Sequence, residues 1–71
     1  MFYLNISKKG ERVFLNPKKI SCIKFRPRLI ERGQDRIYIY LDNAKVIELC
    51  FYSESFYFDA LEKLEGLLEN E

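Results

Sequence analysis

The segment "RIYIYLDNAKVIELCF", residues 36 to 51, constrains the fold more than any other part of the chain. Ile37, Ile39 and Leu41 alternate with Tyr38 and Tyr40. After a short polar break, Ile47, Leu49 and Phe51 alternate with Val46, Glu48 and Cys50. Successive side chains of an extended strand point to opposite faces, so this period of two specifies strands with one face buried. Two of them joined by "DNAK" make a hairpin. The same pattern predicts strands over roughly 1–7, 11–16, 20–27, 35–41 and 45–52. "KKGE" supplies a polar turn after the first. "NPKK" interrupts the chain before the third, because Pro17 has no N–H to give to a ladder. "RLIERGQD" makes a long hairpin tip between the third and fourth strands, polar apart from Leu29 and Ile30.

The period changes after Ser53. At 100° per residue, Tyr57, Ala60, Leu61, Leu64, Leu67 and Leu68 fall on one stripe, while Asp59, Glu62, Lys63 and Gly66 point away. This predicts an amphipathic helix over roughly 55–69, capped by Ser53 or Ser55, with Asp59 and Lys63 as a favourable i,i+4 pair. Phe56 and Phe58 flank the stripe, and Phe58 is the harder to bury. They are expected either at a contact with another chain or at the edge of the core. The expected fold is therefore α+β, in one domain: a curved antiparallel sheet of about five strands with the C-terminal helix packed on one face. Its other face would expose Tyr3, Tyr38, Tyr40 and Tyr52.

At 71 residues the chain sits near the lower limit for a self-sufficient core, so association into a homo-oligomer is expected. The inventory argues against an enzyme. There is no His, and Cys22 and Cys50 lie in separate apolar runs, which suits reduced core thiols better than a zinc site or an activated nucleophile. The three glycines are scattered and form no phosphate-cradling loop. No catalytic residue, metal, cofactor or small-molecule substrate is expected. The N-terminal segment lacks the pattern of a signal peptide and no apolar run is long enough to span a membrane, so the chain reads as cytosolic.

Charge is divided along the chain. From Lys8 to Arg36 there are ten basic and three acidic side chains, and from Ile37 onward two basic and eight acidic ones. A basic surface with tyrosines suits single-stranded DNA or RNA, through base stacking and phosphate neutralisation. A basic region and an acidic one also suit contact with a protein or with another copy of the chain. The net charge of only +1 and the acidic helix favour the second reading, since nucleic-acid-binding domains usually carry a basic excess. The residues expected to carry binding are Lys24, Arg26, Arg28, Arg32, Arg36, Tyr38 and Tyr40, with Phe56 and Phe58 as possible inter-chain contacts.

One further pattern spans "GERVFLNPKKISCI", "DRIYIYLDNAKVIEL" and "ESFYFDALEKLEGLL". It resembles the short flagellar and swarming-motility proteins of the FlbD-like family, with Phe14, Leu15, Asn16, Pro17, Ile20, Ile23, Asn43 and Lys45 at the matching positions. The resemblance implies a small non-enzymatic accessory protein and supplies no catalytic residues. Departures are Ala44 where the family usually has Gly, the long basic tip from Arg26 to Arg36, and an early first strand. The expectation is a self-associating protein-interaction module. A nucleic-acid-binding domain on the same residues is the alternative, and a phage- or plasmid-borne inhibitor of a host complex a further one.

Overall fold

The computed structural model describes residues 2–7 and 10–69, without the side chains of residues 2, 68 and 69. Lys8, Lys9 and the side chain of Leu68 therefore lie outside the described residues. Strands β1 (Phe2–Asn5) and β2 (Arg12–Leu15) are followed by a 3₁₀ turn at Pro17–Lys19. Then come β3 (Ile20–Arg26), β4 (Asp35–Leu41), β5 (Val46–Phe51) and helix α1 (Glu54–Glu69).

The strands do not form the single five-stranded sheet expected from the alternation. They divide into an antiparallel pair β1–β2 and an antiparallel three-stranded sheet in the order β3–β4–β5. The division falls at Asn16-Pro17. Asn16 caps the 3₁₀ turn, its Oδ1 accepting from the Lys18 N–H at 3.1 Å, and Pro17 occupies the first turn, where no N–H is needed. The turn separates β2 from β3, and no ladder joins the two.

Each element presents the face its alternation specifies. Ile37 and Ile39 of β4 and Leu49 and Phe51 of β5 are buried, with Ile23 and Phe25 of β3 half-buried beside them. Leu4 and Leu15 of the hairpin enter the same cluster, and the helix seals it with Tyr57, Ala60 and Leu64. The Tyr57 ring meets Phe51 edge-on, with centroids 5.9 Å apart. Each large apolar side chain buried this way contributes roughly 1.5–3 kcal/mol. Ser53 leads into the helix, its carbonyl accepting from the Tyr57 N–H at 3.2 Å.

The turn between β4 and β5 is a three-residue loop, Asp42–Ala44. Ala44 N–H donates to the Leu41 carbonyl at 3.1 Å, and Leu41 N–H donates to the Lys45 carbonyl at 2.9 Å. Ala44 takes the left-handed conformation at φ 67°, the position at which such loops normally place glycine. The register that follows sets Tyr38 opposite Glu48 and Tyr40 opposite Val46.

Candidate interaction surface

The face of the three-stranded sheet turned away from the core is assembled by register. Arg26 lies opposite Arg36, which lies opposite Cys50. Lys24, Tyr38 and Glu48 form a second row, and Cys22, Tyr40 and Val46 a third. Directly opposed residues share a face, so five of the residues expected to carry binding (Lys24, Arg26, Arg36, Tyr38 and Tyr40) come together here. Both tyrosines are half-buried. The Lys24 ammonium sits 5.3 Å from the centre of the Tyr40 ring, covering that face. The neighbouring Tyr38 hydroxyl first, and then the charge of Glu48, raise the pKa of Arg36. Among the described residues neither Arg26 nor Arg36 forms an ion pair.

Tyr3 does not join this face. It belongs to the β1–β2 pair, where its ring lies 5.8 Å from Phe14 and is flanked by Arg12 and Lys63. Tyr52, directly after β5, is exposed.

Arg28 also departs from the surface role expected of it, because its guanidinium is committed inward. Asp35 is only 3% exposed. One carboxylate oxygen, Oδ1, accepts from the Arg28 backbone N–H at 2.8 Å; the other, Oδ2, accepts from Nε at 3.0 Å and Nη2 at 2.7 Å. Arg28 also donates from Nη1 to the Glu31 carbonyl at 3.2 Å and from Nη2 to the Tyr52 carbonyl at 3.1 Å. Burial by itself pushes the Asp35 carboxyl up, but the Arg28 hydrogen bonds and charge outweigh it and hold the group below its usual range. A planar fork with this many donors suits such a clasp, whereas an ammonium would satisfy it only in part. The clasp closes the base of the tip and ties it to the chain leaving β5.

The tip beyond the clasp is a tight turn. Gly33 N–H donates to the Ile30 carbonyl at 2.9 Å, and a Cβ on Gly33 would meet that carbonyl oxygen at 3.1 Å. The turn holds two apolar side chains in water: Leu29 is 91% exposed and Ile30 69%. Arg32 is exposed beside them. An open groove of about 540 Å³ runs along this end, lined by Arg26, Pro27, Leu29, Ile30 and Arg36 among others. Leu29, Ile30 and Asp35 were not among the residues singled out by sequence. Their only signal is two large apolar residues inside an otherwise polar tip, flanked by an Arg and an Asp.

The two helix aromatics separate. Phe56 is half-buried against the core and lines a small groove with Ile6, Ser7, Tyr52 and Ser53, while Phe58 is 58% exposed. Among the described residues there is no cluster of three or more His, Cys, Asp or Glu able to hold a metal ion, and no helix long and apolar enough to cross a membrane. Comparison with family models, with curated proteins and with solved structures gives no match.

Proposed function

We propose that this chain is a non-enzymatic protein-interaction module whose contact surface is the 29–32 tip and the arginines beside it. One observation carries the reading. Leu29 and Ile30 are presented to solvent by a turn that a hydrogen-bonded Arg28–Asp35 clasp holds in place. A clasped projection of this kind loses little conformational entropy on docking, which is what an interface anchor requires. The cations around it, Arg26, Arg32 and Arg36, favour a partner that offers an apolar pocket or ridge rimmed by carboxylates.

The alternative, a platform for single-stranded nucleic acid, draws on the gathering of Lys24, Arg26, Arg36, Tyr38 and Tyr40 on one face. Against it, the Tyr40 face that a base would stack on is covered by Lys24, and the carboxylate of Glu48 lies in the same row as Tyr38. The protein reading is therefore preferred.

The test is a photo-crosslinking residue placed at Ile30 in the full chain, expressed in its own cells. The expected result is a discrete protein adduct that disappears when Leu29→Asp is added. Adducts with nucleic acid alone, or a protein pattern indifferent to Leu29→Asp, would overturn the reading.

A further inference from the structure

The chain carries a second surface complementary to the first, on the outer face of α1. On α1, Ser55, Phe58, Glu62 and Glu65 are all exposed and follow one another at i, i+3, i+7 and i+10. They share one stripe, opposite the buried stripe of Tyr57, Ala60 and Leu64. This outer stripe is acidic with a single large aromatic in it. Arg26 and Arg36, which border the tip groove, belong to the sheet face directed away from the core that the helix seals.

We infer that the occupant of the tip is the helix of a second copy of this chain, in a head-to-tail contact. Phe58 of one copy seats in the groove beside Leu29 and Ile30 of the next, and Glu62 and Glu65 face Arg26 and Arg36. This rests on the tip being a protein-docking surface and names its partner. Charge complementarity selects the second copy. The groove is bordered by two arginines that form no ion pair among the described residues, and the helix stripe places two carboxylates, Glu62 and Glu65, in the turns after an exposed phenyl ring. Donor and acceptor surfaces differ, so the contact is heterologous and builds rings or open chains instead of a closed two-fold dimer.

Mixing single-surface variants tests this. Phe58→Asp removes the donor and Ile30→Asp the acceptor, and both positions are exposed, so the fold is kept. By sedimentation, the wild type should exceed the mass of a dimer as concentration rises. Each variant alone should stay monomeric, its association weakened about thirtyfold or more, as for loss of an interface anchor. The mixture should form a 1:1 dimer, because each variant keeps one working surface. A second pair requires no loss-of-function reading: Arg36→Glu and Glu62→Arg should each be monomeric alone and should assemble when mixed. Three results overturn the inference: a wild type that stays monomeric, a two-fold dimer unaffected by Phe58→Asp, or variant mixtures that remain monomeric. If any of these holds while the Ile30 crosslink still captures a different protein, the head-to-tail contact fails and the docking role of the tip stands.

Discussion

Ala44 occupies the one position among the described residues where a non-glycine backbone is held at positive φ, and replacing it with glycine should stabilise the protein. At φ 67° its Cβ crowds the following carbonyl, which costs an L-residue roughly 1–2 kcal/mol. Glycine removes that cost but gives the unfolded chain more freedom, returning roughly 0.4–1 kcal/mol. The net gain falls between about 0 and 1.6 kcal/mol and centres near 0.8 kcal/mol, or about 3–6 °C in melting temperature for a domain of this size. Ala44 is exposed, so the substitution removes no packing. Thermal unfolding followed by circular dichroism measures the shift, with Ala44→Asn as an intermediate case and Ala44→Val as the opposite one. Val should lower the midpoint, since a β-branched residue tolerates this conformation least. A midpoint unchanged or lowered in Ala44→Gly, together with a neutral Ala44→Val, would refute the three-residue loop and the β4–β5 register it sets.

Three other outcomes are expected. Leu64→Ala, which empties a fully buried site under the helix, should cost roughly 2–5 kcal/mol in chemical denaturation, and a loss below about 1 kcal/mol would contradict its central place in the core. The Asp35 carboxyl has a depressed pKa when folded, so its stabilisation is complete above the unfolded value of about 4 and is lost as pH falls through the folded value. Wild-type stability should therefore decline below about pH 4, and Asp35→Asn should flatten that decline; identical acid limbs would rule the clasp out as its source. Cys22 is exposed, whereas burial first and the charge of Glu48 second raise the pKa of the Cys50 thiol, so Cys22 should alkylate faster when the two are followed by mass spectrometry. Faster reaction at Cys50 would contradict that environment.

The alternation of Ile37 and Ile39 with Tyr38 and Tyr40, and the leucine spacing of the helix, carry the α+β layout because periodicity reports which side of an element is buried. It does not report which strand edges meet. Leu4 and Leu15 alternate correctly in β1 and β2 and still enter the core from a separate sheet, because the Asn16-Pro17 turn redirects the chain first. The basic sheet face was legible for the same reason the strands were: once Ile39 is buried, Tyr38 and Tyr40 must face the other way. The clasp was not legible, since a charged residue in a loop gives no sign of whether it points to water or to a carboxylate seven residues away. Arg28 and Arg32 look alike in sequence, yet Arg28 is tied to Asp35 and Arg32 is exposed. Leu29 and Ile30 stood out as the two apolar residues of the tip, but sequence alone does not say whether a turn holds them in water.

Everything proposed for the tip depends on Leu29 and Ile30 being held out by an ordered turn instead of trailing from a loose one. Backbone ¹⁵N relaxation over residues 28–35 measures this directly. Order parameters should lie close to the rigid-backbone value of about 0.85, matching β3 and β4, with the Arg28 amide slow to exchange. Values below about 0.6 across the tip, with an Arg28 amide that exchanges as freely as an unprotected one, would contradict it.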